Sequence, residues 1–286
     1  MKPHPPDFAV IGHPIAHSRS PMIHKAFAQQ CGIALNYTRI DALPDLFEST
    51  VEKFFSENGS GLNVTVPFKE RAFQMTKPRL SERALQAGAV NTLWIRDGHL
   101  HGCNTDGVGL VRDLSRLGMI KTGQRILLLG AGGAARGVVG PLLATGCEAL
   151  CIANRTFSKA QTLVRDWIAH HPEHTRQLEA SPLEALPAAR PWDLIINATS
   201  SSLGGQVIAL PETAVSHESS LYDMMYGAEP TPFLVAAKTL GATRKADGLG
   251  MLVCQAAESF RIWHGTEPQV DPVIDMVRKQ LVPDVR

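Results

Sequence analysis

The stretch "RILLLGAGGAARGVVGPLLATG", residues 125 to 146, restricts the fold of this chain more than any other. An uninterrupted apolar run that turns at once into glycines reads as a strand buried on both faces and followed by a tight turn into a helix. Gly130, Gly132 and Ala135 match G-x-G-x-x-A, with Ala131, Gly133 and Ala134 completing the loop. The first glycine permits the turn, the second lets backbone approach a pyrophosphate, and the small third residue lets helix and strand pack closely. The start of the following helix then faces the phosphates. A dinucleotide-binding βαβ unit is the expectation, since the glycines have the required strand before them and a helical pattern after.

The next strand ends in "CIANRTFSKA". Where a carboxylate is expected for a free ribose 2′-hydroxyl, this chain has Asn154 and Arg155, with Thr156 and Lys159 close behind. A guanidinium holds a 2′-phosphate that a carboxylate would repel. The pattern predicts NADP rather than NAD.

Further strands are predicted at 149–154, 193–199 and 220–225, alternating with helical stretches, which makes this half a doubly wound parallel sheet. The first hundred residues alternate differently. Strands are predicted at 8–12, 35–40, 61–66, 89–95 and 100–104, with Asp97-Gly98 as a hairpin turn. Helices are predicted at 21–30, on Met22, Ile23, Ala26 and Phe27, and at 44–55, on Phe47, Val51, Phe54 and Phe55. From Gly107, Val108, Val111, Leu114 and Leu117 predict a linking helix, and the last forty residues predict two helices that return to the first domain. The expected architecture is α/β: an N-terminal domain with a mixed sheet (1–106, completed by 248–286) and a Rossmann-type domain (107–247).

Composition narrows the function classes. With 28 basic and 27 acidic residues the net charge is +1, so no overall field attracts nucleic acid or anionic lipid. Apolar residues make up 44% and charged residues 19%, yet no run of about eighteen apolar residues suits a membrane span and no leader-like segment is visible. A cytoplasmic protein acting on a small molecule, as monomer or homodimer, is expected. Five cysteines without a C-x-x-C pair read as reduced packing residues. His13 and His17 flank Pro14, and His170, His171 and His174 surround Pro172, so no metal site is expected at either.

Two short motifs carry chemistry. In "GHPIAHSRSPMIHK", Ser20 stands as an N-cap before Pro21, and Ser18 adds a second hydroxyl beside the same helix start, a carboxylate site without a cation. In "NVTVPFK", Asn63 and Thr65 share one strand face, Val64 and Val66 the expected core face, and Pro67 ends the ladder before Lys69. By itself the heptapeptide reads first as an ordinary strand end with a solvated lysine.

Together, "GHPIAHSRSP", "GLNVTVPFK", "GAVNTL", "NTDG", "GAGGAARG", "NRT", "NATS", "YDMMYG" and "DGLGMLVCQAAESF" resemble the shikimate dehydrogenase family, in family order from residue 12 to 260. The resemblance implies two α/β domains flanking a cleft and NADP-dependent interconversion of 3-dehydroshikimate and shikimate, in aromatic amino-acid biosynthesis. It implies Lys69 and Asp106 as the catalytic acid–base pair, Ser18, Ser20 and Tyr226 as the carboxylate site, and Thr65, Asn91, Asp106 and Gln255 on substrate hydroxyls. It adds Glu82, Met224 and Gly248 to the cofactor residues Gly130 to Ala134 and Asn154 to Lys159. Lys25, where an asparagine is common, and "SSSLGG" at 200–205 depart from the family pattern. A relative that oxidises quinate or shikimate with NAD, and a non-catalytic NADP-binding sensor, are the alternative readings; Arg155 argues against the first, and the joint presence of Lys69, Asp106 and both serines against the second.

Overall fold

The computed structural model describes residues 6–187, 190–199, 201 and 208–281. Two compact units emerge, one running up to Gly109 together with Leu252–Lys279, the other spanning Leu110–Met251.

In the first unit the order is β1 (Asp7–Gly12), α1 (Ser20–Cys31), β2 (Asn36–Asp41), α2 (Phe47–Ser56), β3 (Gly59–Val64), α3 (Lys69–Met75), α4 (Glu82–Ala87), β4 (Thr92–Arg96) and β5 (His99–Cys103). The strands form one sheet in the order β2-β1-β3-β4-β5. The first three run parallel, while β4 and β5 are antiparallel additions, so the sheet is mixed. The β4–β5 hairpin turns on Asp97 and Gly98, both at positive φ (52° and 73°), the geometry that an Asp-Gly pair favours. One sheet face packs Ala9, Ile11, Leu62 and Val64 against Phe47, Val51 and Phe68. On the other, Phe8 meets Trp263 and His264, from the C-terminal part of the chain.

Two local expectations are corrected here. Strand β3 stops at Val64, before Thr65 and Val66, and Val66 is 67% exposed, so the supposed valine core face ends with Val64. The reason is a turn, closed by the Phe68 N–H donating to the Thr65 carbonyl (3.0 Å), which takes the chain out of the ladder before Pro67. The buried face of α1 is also rotated by one residue from the predicted one: Ile23, His24, Phe27 and Ala28 are buried. His24 is taken into the core because rings await it, Tyr37 stacked at 4.4 Å and Trp263 at 5.2 Å.

The second unit is entered within α5 (Asp106–Arg116), which starts one residue before the predicted helix. It continues with β6 (Arg125–Leu129), α6 (Gly133–Leu143), β7 (Ala149–Asn154), α7 (Phe157–His170), β8 (Leu178–Pro182), β9 (Leu194–Asn197), β10 (Ser220–Asp223), α8 (Pro232–Thr239) and β11 (Arg244–Asp247). All pairs are parallel, in the order β11-β10-β9-β6-β7-β8. This is the doubly wound order, in which the direction of strand addition reverses between β6 and β9. Along β6 the period-2 alternation sends Ile126 and Leu128 into one core layer and Leu127 and Leu129 into the other. The helices α9 (Leu249–His264) and α10 (Asp271–Leu281) follow, and from Leu252 to Lys279 they belong to the first unit.

Of "SSSLGG", only Ser201 lies among the described residues. None of the five cysteines, all among the described residues, is joined in a disulfide. Among the described residues no helix is long and apolar enough to cross a membrane.

Candidate active site

Lys69 is the first residue of α3, and the sequence around it fixes that helix start firmly. Phe68 is fully buried and stacks on Phe47 at 4.5 Å. The Arg71 guanidinium lies over both rings, 5.3 and 5.7 Å from their centroids, while it forks onto Glu48 and reaches the Pro44 carbonyl. Hydrogen bonding from Arg71 holds the Glu48 carboxyl below its ordinary range. From the far side, the Val90 N–H donates to the Lys69 carbonyl (2.9 Å).

So held, Lys69 Nζ donates to Asp106 Oδ2 at 2.6 Å, with the two side chains 29% and 21% exposed. A short contact between ionised partners is the strong kind of hydrogen bond. The other carboxylate oxygen, Oδ1, accepts from Asn91 Nδ2 at 2.9 Å, and the Asp106 N–H donates to Asn104 Oδ1 at 3.0 Å. Asn91 Nδ2 also faces Thr105 Oγ1 (2.9 Å) and Gln255 Oε1 (3.2 Å), and Asn91 Oδ1 accepts from the Thr105 N–H (3.0 Å). Residues from "GAVNTL", "NTDG" and "CQAAESF" thus meet in one polar cluster around Asp106. Asn63 braces it from beneath: its amide donates to the Asn91 carbonyl (3.1 Å) and to Ser259 Oγ (3.0 Å). Lysine keeps two protons free of Asp106, which is what a donor to an incoming oxygen needs.

The serine pair belongs to the same unit. Ser20 is not the N-cap: Arg19 occupies that position with helical φ and ψ (−89°, −6°), and no side chain caps the helix. Instead Ser18 Oγ accepts the Ser20 N–H (3.3 Å) and lies 3.2 Å from Ser20 Oγ, so both hydroxyls converge beside the start of α1. Strand β2 supports them in a way the sequence reading missed. Arg39 donates twice to the Ser18 carbonyl, at 3.0 and 2.7 Å. Tyr37 donates to Asn63 Oδ1 at 2.7 Å; burial raises its phenol well above the ordinary range, and the Ser20 hydroxyl beside it partly offsets that rise. The signal was available, since Tyr37 and Arg39 stand two apart on one strand and share a face. Thr65 follows the end of β3, and its methyl leaves no room for a side chain at position 12. Lys25 is exposed on α1, and Glu82 opens α4 in this unit, accepting from Gln86 at 3.3 Å.

In the second unit the glycine loop leaves β6 at the point where strand order reverses. Gly130 has φ 109° and a Cβ there would meet Thr199 at 3.0 Å, so both conformation and space require glycine. Gly132 and Gly133 differ: among the described residues a Cβ at either would meet nothing within 4 Å. Ala131 is half-buried, Ala134 exposed and Ala135 fully buried under the sheet. Helix α6 begins with no side-chain cap and no acidic residue in its first turn. Bare backbone, open space and uncapped N–H groups fit a pyrophosphate. At the end of β7, Asn154 Nδ2 donates to the Thr156 carbonyl (2.9 Å), while Arg155 and Lys159 are exposed around an equally uncapped α7. These residues fit a 2′-phosphate. Met224 and Gly248 touch at the ends of β10 and β11, where a Cβ on Gly248 would lie 2.1 Å from the Met224 carbonyl. Tyr226 is half-buried in the loop that follows β10.

His171, Glu173 and His174 offer ligand atoms within 4.8 Å of one another. The indole N–H of Trp167 already donates to His174 Nδ1 at 3.1 Å, which ties this cluster to the α7 core. His13 pairs with Asp41 at 2.8 Å.

Comparison with known proteins agrees in every part of the chain. Residues 10–93 match the shikimate dehydrogenase substrate binding domain, 115–209 the shikimate / quinate 5-dehydrogenase family, and 248–278 the shikimate 5′-dehydrogenase C-terminal domain. A shikimate dehydrogenase (NADP(+)) of Bordetella petrii is 52% identical over 277 residues, 97% of this chain and 96% of that one. Among solved structures, an Ael1 enzyme from Pseudomonas putida superposes with TM-score 0.89 at 43% identity, covering 98% of this chain and all of the other (100%). The shikimate 5-dehydrogenase of Thermus thermophilus, solved with NADP(H) and shikimate, gives TM-score 0.83 at 32% identity over 96% of this chain and 100% of that one. With a Lys–Asp pair, a serine pair and an uncapped glycine loop on these two folds, and a relative of this identity along nearly its whole length, the chain belongs to the shikimate dehydrogenase family.

Proposed function

We propose that the protein catalyses the NADP-dependent interconversion of 3-dehydroshikimate and shikimate, with Lys69 as the proton donor and acceptor. The observation that carries this reading is the Lys69–Asp106 contact of 2.6 Å, embedded in hydrogen bonds from Asn91 and Asn104. NADPH, when bound, supplies the hydride that makes the ketone carbon tetrahedral. As negative charge develops on the ketone oxygen, the Lys69 ammonium donates a proton to it, and in the oxidation direction the neutral amine takes that proton back. Asp106 holds Nζ in place, and because Asn91 occupies its Oδ1, the carboxylate cannot rotate away. Asn91, Gln255 and Thr65 orient the substrate hydroxyls, and Ser18 and Ser20, with Tyr226, hold its carboxylate. Gly130 to Ala134, with Glu82, Met224 and Gly248, accommodate the dinucleotide, and Asn154 to Lys159 its 2′-phosphate.

The test is NADPH oxidation on addition of 3-dehydroshikimate, with NADH and quinate as controls, in wild type and in Lys69→Ala. The wild type should prefer NADPH, and the variant should lose about two to four orders of magnitude in kcat, the scale of a positioned acid or base, with NADPH affinity retained. Wild-type kcat in Lys69→Ala would remove the lysine from the chemistry.

A further inference from the structure

The serine pair has an unsolved electrostatic problem. Two neutral hydroxyls can orient a carboxylate, but they bring no charge to meet it, and a desolvated carboxylate is costly without a cation or several strong donors. Strand β2 carries the answer. Its register against β1 places Tyr37 beside Phe8 and Arg39 beside Val10, and the two residues, two apart, share a face. Arg39 sends two N–H groups to the Ser18 carbonyl, while Tyr37, on the same strand face, anchors itself by donating to Asn63.

A guanidinium on a carbonyl keeps its full charge, since the acceptor is a dipole and not an anion. Among the described residues no carboxylate pairs with Arg39; Asp41, the acid two positions along β2, is engaged by His13 at 2.8 Å. A strand that merely needed a solvated edge would not aim two donors of one side chain at a single backbone oxygen of the serine loop. Tyr37 in turn is locked by His24, stacked 4.4 Å away at an interplanar angle of 12°, so its phenol oxygen has little freedom to move.

We propose that Tyr37 and Arg39 are positioning residues for the carboxylate site: Arg39 fixes the Ser18 backbone and supplies the positive charge that the two serines lack, and Tyr37, locked by Asn63 and His24, braces the strand face from which Arg39 reaches the serine loop. This rests on the reading of Ser18 and Ser20 as the carboxylate site and gives that site its selectivity for an anion. Neither side chain takes part in proton or hydride transfer.

The experiment compares shikimate with its neutral methyl ester in wild type, Arg39→Ala, Arg39→Lys and Tyr37→Phe. Arg39→Ala should raise KM for shikimate roughly tenfold, the worth of one hydrogen bond to a charged group, with kcat and the KM for NADP changed by less than about twofold. For the ester, which has no charge to lose, the same substitution should change KM little. Arg39→Lys should restore the rise of KM with ionic strength that Arg39→Ala abolishes, and Tyr37→Phe should repeat the acid-over-ester pattern more weakly. An equal loss with acid and ester would show that the loop merely sags, and would overturn the proposal; so would an unchanged KM or an effect confined to kcat. Wild-type protein that fails to oxidise shikimate overturns the underlying function and this proposal with it, whereas an active wild type with a silent Arg39→Ala removes only the proposal.

Discussion

His24 makes acid stability the most quantitative test of this fold. The ring is fully buried among Tyr37, Phe27, Phe260 and Trp263, and neither nitrogen reaches hydrogen-bond geometry with a neighbour. Burial, and then the adjacent His264, push its pKa from 6.5 down to about 3, with Asn63 acting weakly in the other direction. The folded protein therefore keeps His24 neutral where the unfolded chain takes up a proton. Because the unfolded state binds more protons below pH 6.5, stability must fall as pH falls. Between pH 7 and pH 5 the loss from His24 alone is about 2 kcal/mol, a large share of the roughly 5–15 kcal/mol of an ordinary domain. His264, also lowered by burial, adds a loss of the same sign. Carboxyls held low, such as Glu258, where hydrogen bonds from Arg261 and Arg83 outweigh the opposing effect of burial, contribute fully above their unfolded value of 4.5 and leave this window undisturbed. Urea unfolding of wild type and His24→Phe at pH 7 and pH 5 isolates the effect. Any packing cost of the larger ring is the same at both pH values and cancels, so the variant should lose about 2 kcal/mol less than wild type across the interval. Identical pH dependence in the two proteins would refute the neutral buried histidine.

Three further outcomes are expected. Ser18→Ala should raise KM for shikimate roughly tenfold, from one lost hydrogen bond to a charged group, and the methyl ester should be insensitive to the change; steady-state kinetics with both ligands decides it. Arg155→Ala should weaken NADP by about ten- to a hundredfold while NAD barely responds, and equal losses in a binding titration with each cofactor would reassign Arg155 to loop structure. Gly250→Ala should cost about 1–3 kcal/mol in thermal or urea unfolding, because its Cβ would lie 2.1 Å from the Asp113 carboxylate, which Tyr222 (2.7 Å) and Arg116 (2.8 Å) hold in place. An unchanged midpoint would mean that this carboxylate yields.

The central strands and the hairpin were legible in the sequence because each is announced by a pattern with one physical origin: a continuous apolar run for β6, an Asp-Gly pair for β4–β5. The missed strands of the parallel sheet, β8 and β11, are its two edges. An edge strand pairs on one side only and tolerates charge, so "RKAD" and "LEASP" carry no apolar signature. The face of α1 was misjudged because a polar residue is buried, while on α5 the predicted Leu114, Val111 and Leu117 do pack into the core. His24 enters an aromatic layer with Trp263 and Phe260, and Asp113, beside Arg116 on its own helix, is buried to meet Tyr222, contacts set by residues far along the chain. Lys69 and Asp106 stand 37 residues apart, and no local pattern joins them; the family resemblance named both, while the contact itself is a product of the fold. The spacing of Tyr37 and Arg39 puts both on one strand face, but that Arg39 reaches the Ser18 backbone oxygen is set by the fold and leaves no trace in residue type.

The empty surroundings of Gly132 and Gly133 set them apart from Gly248 and Gly250, which are crowded by Met224 and Asp113. A methyl group at the crowded pair disturbs the protein itself, so variants there should fall several-fold in any screen that scores cellular abundance. At the open pair a methyl group meets nothing among the described residues. Such variants should accumulate to normal levels and fail only when growth depends on the enzyme's turnover. Paired abundance and complementation maps of this chain would therefore diverge at these two positions, as they would at Lys69, and that divergence would outline the ligand's footprint without a ligand ever being seen.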